Sequence, residues 1–389
     1  MKIVHVLDTL DPRDGGPPQV AMRQASALAA LGHDVAILHC KPTPDRVEHV
    51  RSTIDGVPGY ERVTILELPP EHIHRFLGRA HPASLECLRG AEWLQLHQIW
   101  HPMLRAVARW ARENEVPYSM RPAGSLSRWM LEQKRWKKKV GLALGYRRMI
   151  DGAQFLQALN KDEAHAISIF KPRPPIETVS NGIFPEEIAP LPPGGVFRAQ
   201  HERLASRRYV VSVGRLHYSK GYDVLVPAFA RVAREVSDVD LVLIGPDGGK
   251  KSDLEAIAKT LGIAERVHLV GPVYGRNKFA ALVDAACFCL PSRHEAFSNA
   301  ITEALACGLP CVISPGAHFP EVAEVGAGMI VEIEEVAIAA ALLSILRDQG
   351  RAQTMGERGR LLAHSYLWPE IAERLASLFR RYRAERRSS

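Results

Sequence analysis

Cysteine is scarce in this chain, with six residues in 389, and no C-x-x-C pair occurs, which excludes a disulfide framework. Cys287 and Cys289 alternate within an apolar run, and Cys307 and Cys311 flank Gly-Leu-Pro, a setting that reads as buried free thiols. Nor is there an apolar run of the roughly 18 residues that a membrane-spanning helix needs. The opening "MKIVHVLDTLD" carries one lysine, and Asp8 cuts its apolar stretch short, so it makes a poor signal peptide and the expected location is the cytosol. What is present is ordinary for a folded protein: 46% hydrophobic and 24% charged residues, which excludes extensive disorder. The length exceeds what one core usually serves and predicts two domains.

The net charge of +7 is concentrated in clusters, notably "KRWKKK" at 134–139 and "RRYRAERR" at 380–387. Such clusters suit anionic partners: nucleotides, phosphates, acidic lipid headgroups or nucleic acid.

The chain begins as strand, loop, helix, strand: "KIVHVL", "DTLDPRDGGPP", "QVAMRQASALAAL" closed by Gly32, and "DVAIL". Proline at a helix start and glycine at its end are the expected punctuation. Near residue 209 the same plan restarts with "YVVSVG", "RLHYSKG", "YDVLVPAFARVARE" and "VDLVLIG". The restart predicts two Rossmann-like halves, each a parallel sheet with helices on both faces. The Pro- and Gly-rich stretch "FPEEIAPLPPGGVFRAQ" at 184–200 reads as a linker between them. The expected domains are 1–188, joined by a final helix at 369–389 that crosses back, and 189–368.

Open parallel sheets bind ligands where strands end and loops lead into helices. The residues able to carry chemistry sit at such places. Glu295 follows the strand candidate "CFCLP", and Ser298 or Asn299 can cap the helix that carries Glu303. On a continuous helix eight positions would set the two glutamates about 80° apart, so a loop residue and a helix residue converging on one point fit better. Backbone N–H groups near Phe297 and Ser298 would face an anion held there. Glutamate early in a helix is also favoured by the dipole alone. Arg215 and Lys220 lie in "VSVGRLHYSKGYD", again between strand and helix, where two cations beside a helix N-terminus suit a diphosphate. In the first half the matching loop holds Gly15 and Gly16, which let backbone approach a phosphate or sugar.

Together, "GG" after the first strand, "VGR…KG" opening the second half, and "E-x7-E" followed by "A-x-G-x-P" resemble the retaining glycosyltransferases of GT-B fold in the large E-x7-E family. "HQIWHP", "RPAGSLSRWMLEQKRWKKK", "SNGI" and "YLWPEIAERL" resemble a bacterial subgroup that builds envelope polysaccharides. The resemblance implies an α/β architecture of two Rossmann-like domains facing each other across a cleft. It implies that Arg215 and Lys220 bind the donor diphosphate, that Glu303 holds ribose hydroxyls, and that Glu295 lies beside the donor sugar, with Ala296, Phe297 and Ser298 giving backbone contacts. By the same match Gly16, next to Gly15, approaches the diphosphate, and His97 reaches the transferring sugar. No cofactor and no metal is then expected. The implied partners are a UDP- or GDP-hexose donor and a saccharide or polyprenyl-diphosphate-linked acceptor; the basic residues beside aromatics add an anionic membrane surface, at the inner face of the plasma membrane, as a further expected partner. "LHYS" before Lys220 and the glycine-rich "IGPDGGK" depart from the family pattern.

Other patterns are weaker. His97 and His101 have the spacing of a zinc-protease helix, but position 98 is glutamine, not glutamate, and Pro102 follows; His101 is assigned no role. Asp238-x-Asp240 precedes a strand instead of ending one, so it reads as a turn. The basic segment with Trp129 and Trp136 suits either a solvated helix face or a membrane interface. No nucleic-acid-binding module accompanies it. A nucleotide-sugar epimerase of related fold, or a non-catalytic nucleotide-sugar-binding partner of an assembly complex, are the alternative functions.

Overall fold

The computed structural model describes residues 1–54, 56–74, 76–133 and 135–388, and these divide into two compact units. One comprises Met1–Asn181 with Trp368–Ser389, the other Gly182–Leu367. The strands of the first are β1 (Lys2–Val6), β2 (Asp34–Cys40), β3 (Val63–Leu68), the short antiparallel pair β4 (Ile73–His74) and β5 (Arg79–Ala80), β6 (Trp93–His97), β7 (Tyr118–Arg121), β8 (Leu156–Ala158) and β9 (Ile176–Thr178). Those of the second are β10 (Arg208–Val213), β11 (Val239–Ile244), β12 (Val267–Gly271), β13 (Cys287–Leu290), β14 (Cys311–Ile313) and β15 (Gly328–Ile330).

In the first unit the sheet order is β3-β2-β1-β6-β7-β8-β9, in the second β12-β11-β10-β13-β14-β15, with every pair parallel. Parallel pairs require crossovers, so helices cover both faces and the central strands are largely buried. In β11 every residue is buried, including Asp240. That carboxylate is compensated by Arg207 and Arg266 at 2.7 Å and by His268 at 2.9 Å. Burial alone would raise its pKa, but these donors outweigh it and hold the carboxyl below its usual range. Asp238 pairs with Arg208 at 2.8 Å, so both aspartates of the Asp-x-Asp are engaged by arginine.

The 184–200 stretch is not a loose tether. It contains the short helices Pro185–Ile188 and Val196–Ala199, and Ile183 and Phe197 are each 1% exposed in the second unit's core. Asp284 anchors it by accepting from the backbone N–H of Gly195 and, at 2.9 Å, of Arg198. Proline and glycine here start and stop one-turn helices, and that composition resembles a linker. The second unit accordingly begins at Gly182.

The helix Trp368–Ser388 packs on the first unit. Phe379, fully buried, stacks on Trp93 with ring centroids 4.8 Å apart, and Tyr382 meets Phe155 at 5.0 Å. Glu177 receives both Arg381 and, at 2.7 Å, the Tyr382 hydroxyl. The helix thereby covers apolar surface that the rest of the first unit would otherwise expose. Phe379→Ala should destabilise the first unit by about 3–5 kcal/mol, read as a lowered urea midpoint; an unchanged midpoint would show that the helix is not part of that core.

Candidate functional site

In the second sheet the strand order reverses between β10 and β13, and the loops leaving these strands carry the charged residues. After β10 the chain passes Gly214 and Arg215 to the turn Tyr218–Lys220, then Gly221. Gly221 has φ 70°, and a Cβ there would lie 2.0 Å from the Pro291 carbonyl oxygen, so only glycine lets this loop rest on the one after β13. Arg293 fastens the contact: its backbone N–H donates to Ser219 O at 2.7 Å, its guanidinium pairs with Asp223 at 2.7 Å and lies 4.0 Å over the Tyr218 ring.

So held, Lys220 Nζ donates to Glu295 Oε1 at 2.5 Å, Ser292 Oγ donates to the same oxygen at 2.6 Å, and Glu295 N donates to Gly316 O at 2.8 Å. The lysine and glutamate are 19% and 11% exposed, so the pair is largely out of water and attracts more strongly than a surface pair. The Arg215 side chain is exposed and makes no hydrogen bond or ion pair among the described residues.

A third loop, after β11, supports Arg215 from behind. Leu216 N donates to Pro246 O at 2.9 Å, and Gly248 N donates to Leu216 O at 3.0 Å. A Cβ on Gly245 would lie 2.1 Å from Gly214 O, and one on Gly248 2.9 Å from both Arg215 Cγ and Leu216 O. Two of the three glycines of "IGPDGGK", Gly245 and Gly248, are therefore a packing demand made by the arginine loop. His217, beside Arg215, is held below its usual pKa by burial first, then by the charges of Arg215, Lys220 and Lys250. The loops concentrate positive charge where the sheet opens.

Glu303 is the fifth residue of the helix Asn299–Ala306 and is 7% exposed. Its partner is Lys278, from the helix Gly275–Val283, at 2.6 Å. Ser298 occupies the N-cap, but its side chain makes no capping hydrogen bond; Asn299 is the first helical residue. Phe297 packs with Phe319 and Tyr366, centroids 5.3 and 5.8 Å away, which fixes the backbone of Ala296–Ser298. The second unit thus gathers Arg215, Lys220, Glu295, Ala296, Phe297, Ser298 and Glu303 on the loops and helix that follow β10 and β13.

The first unit holds Gly15, Gly16 and His97. Gly15, with φ 108°, caps the helix Gly16–Ala30. A Cβ on Gly16 would meet nothing within 4 Å, so packing does not demand glycine there. His97 ends β6 and is fully buried. Its Nε2 shares a proton with His5 Nδ1 at 2.9 Å, the rings stacked 5.2 Å apart. Burial first, then the Arg121 charge, drives His5 down to about 3. His97 lies well below its usual value through burial, then His5, then Arg121. Both rings are therefore neutral. Arg121, paired in register with His97 across β6 and β7, is also buried, and burial lowers it to about 10. It donates to Asn181 Oδ1 at 2.7 Å, while its Nε and Nη1 have no partner among the described residues.

Beside this core, past the ends of β1, β2 and β6, opens a cavity of about 470 Å³ lined by Asp8, Thr9, Lys41, Arg46, Gln98 and His101, among others. Burial raises the Asp8 carboxyl, against the pull of His101. His101 also caps the helix Pro102–Glu113, Nδ1 accepting from Met103 N at 3.3 Å. Sequence reasoning assigned His101 nothing and passed over His5, Arg121, Lys278 and Arg293. The positions of His5 and Arg121 within strands were the available signal; Lys278 and Arg293 offered none.

In each unit the charged residues lie past the carboxyl ends of a parallel sheet, the place where open α/β sheets bind ligands. Residues 196–362 match the family described as "Glycosyl transferases group 1" and residues 15–182 the "Glycosyl transferase 4-like domain". Among solved structures, sucrose-phosphate synthase from Thermosynechococcus elongatus superposes with a TM-score of 0.78 at 20% identity, covering 99% of this chain and 100% of that one. HepE from Anabaena in complex with UDP and glucose gives 0.75 at 18%, covering 97% and 99%; these likenesses show the fold. A GDP-mannose-dependent alpha-(1-6)-phosphatidylinositol monomannoside mannosyltransferase of Mycolicibacterium smegmatis is 31% identical over 221 residues, 54% of this chain and 58% of that protein. An N-acetyl-alpha-D-glucosaminyl L-malate synthase of Bacillus anthracis is 28% identical over 206 residues, 51% of each. The matches thus span little more than half the length of these two relatives. Each half of the chain thus matches a glycosyltransferase family model, and the fold is the GT-B fold of these solved structures.

The buried histidines generate a pH prediction. Their folded pKa values lie below the unfolded value of about 6.5, so on acidification the unfolded chain takes up protons first. Their neutral burial costs nothing above that pH and reduces stability as pH falls toward the folded values, by about 1.4 kcal/mol per pH unit for each ring. His5→Gln should flatten the fall in unfolding free energy between pH 6 and 4 by about that slope; an unchanged slope would mean the rings are protonated in the fold.

Proposed function

We propose that the protein transfers a hexose from a UDP- or GDP-sugar to a saccharide or polyprenyl-diphosphate-linked acceptor, retaining the anomeric configuration and using no metal ion, in the synthesis of an envelope polysaccharide. The observation that carries this reading is the cationic loop pair at the end of β10, with Arg215 exposed and Lys220 held by Glu295 at 2.5 Å. When the sugar C1–O bond breaks, its electron pair stays on the departing nucleoside diphosphate. Arg215 and Lys220 are preorganised charges for that oxygen, and fixed cations stabilise developing charge without reorganisation. Glu295 orients Lys220 and lies beside the sugar, while Glu303, itself oriented by Lys278, takes the ribose hydroxyls. Gly15 and Gly16 let backbone approach the diphosphate.

In the first unit His97 is fully buried against His5 and neutral, and its proposed influence on the transferring sugar is that of a dipole and not of a charge. The cavity with Asp8 and His101 takes the acceptor. The exposed residues Trp136, Lys137 and Lys139 are proposed to meet anionic headgroups at the inner face of the plasma membrane; Lys134 and the Trp129 side chain fall outside the described residues.

The test is a thermal-shift panel of UDP- and GDP-sugars followed by transfer assays with NMR of the product anomer. The matching donor at ten times its Kd should add about 1.4 kcal/mol of apparent stability. Lys220→Met should lower kcat about 10²–10³-fold, and Asp8→Asn should raise the acceptor KM without changing donor affinity. Full activity in Lys220→Met, an inverted anomer, or free epimerised nucleotide sugar formed without acceptor would overturn the reading.

A further inference from the structure

Away from the strand ends, the first unit carries a second charged groove. Arg105, Arg109 and Arg112 recur at helical spacing along the helix Pro102–Glu113, which puts them on one face, and Arg148 joins them from the helix Arg147–Asp151. The groove encloses about 360 Å³. Among the described residues Glu113 is the one carboxylate in its lining, and it pairs with Arg109 at 2.8 Å, so four guanidiniums face a single negative charge. The Arg148 side chain is exposed and has no hydrogen bond or ion pair among the described residues.

Exposed apolar side chains flank the groove. On one side Arg105 donates to Phe76 O at 2.8 Å and fixes the tip of the β4–β5 hairpin. Gly78 lets that tip close over the guanidinium, since a Cβ there would lie 2.6 Å from two of its nitrogens. On the other side stands Leu144, and Tyr146 beneath it receives Arg105 at 5.0 Å over its ring. Phe76 is 87% exposed, Leu77 65% and Leu144 53%. Free phosphate or nucleotide would gain nothing from such rims, whereas an anionic lipid surface meets both features at once: phosphates for the arginines, acyl boundary for the exposed side chains.

We propose that this groove is the chain's docking site for an anionic phospholipid surface, with headgroup phosphates between Arg105, Arg109, Arg112 and Arg148 and the tips Phe76, Leu77 and Leu144 inserted beside them. It rests on the membrane contact proposed above, and relocates its centre from the 134–139 lysines to the arginine groove.

The experiment is co-sedimentation of the full chain with vesicles of phosphatidylglycerol and phosphatidylcholine (1:1) and of phosphatidylcholine alone. Wild type should sediment with the former only. Arg109→Gln/Arg148→Gln should lower partitioning more than about tenfold, at about a fivefold loss per basic residue near the surface. Phe76→Ser/Leu77→Ser should lower it comparably, and Lys137→Gln/Lys139→Gln should lower it less than either. Each variant's thermal shift with UDP and GDP should match wild type, so loss of nucleotide binding would count against the proposed function and leave this inference standing. Four outcomes would overturn it: no sedimentation of wild type with anionic vesicles; arginine variants that sediment like wild type; full competition by glycerol phosphate with no effect of the Phe76/Leu77 change, which marks a soluble phosphate site; and a dimer by analytical ultracentrifugation that the arginine variants abolish, which marks a second copy as the occupant.

Discussion

The ion pair between Lys220 and Glu295 is the constraint on which the second unit's site depends. It exists because β10 and β13, remote in sequence, are neighbours in the sheet. Because the two strands run parallel, the loops that leave them lie side by side at one edge of the sheet. Close backbone approaches hold the loops together, Gly221 against Pro291, Gly316 against Ser292 and Arg293, and Gly245 against Gly214, and the Ser292 hydroxyl and the Arg293–Asp223 ion pair fasten them. Opposite charges so placed screen each other until an anion competes for the lysine. In the function proposed here Arg215, whose side chain has no partner of its own among the described residues, is the first cation offered to an arriving diphosphate.

The first unit solves a different problem. It buries His5, His97 and Arg121 in β1, β6 and β7, and burial forbids the imidazoles their charge. Neutral rings add no further cation next to the buried guanidinium of Arg121. The neighbouring cavity remains polar, with Asp8, Lys41, Arg46 and His101 at its wall, a lining that suits hydroxyl groups more than apolar ones.

Much of this was legible in the chain. The repeated strand, glycine loop and helix at residues 2 and 209 announces two Rossmann-like halves because parallel strands must be apolar and their loops must turn sharply. Arg215, Lys220, Glu295 and Glu303 could be found because each follows a strand end. What was not legible depends on contacts remote in sequence. Lys278 meets Glu303 across 25 residues and Arg293 meets Asp223 across 70, and neither lysine nor arginine carries a local mark of its partner. The 184–200 segment misled because proline and glycine punctuate one-turn helices as readily as they loosen a tether. The glycine richness of "IGPDGGK" has no local explanation in the sequence, because Gly245 and Gly248 answer to the arginine loop packed on them.

The central claim, that a diphosphate is held by cationic loops at the end of β10, is tested most directly by a crystal structure with UDP or GDP bound. The account predicts phosphate oxygens within hydrogen-bonding distance of the Arg215 guanidinium and Lys220 Nζ, with the ribose hydroxyls on Glu303. A nucleotide bound elsewhere, leaving the Lys220–Glu295 pair untouched, would contradict it.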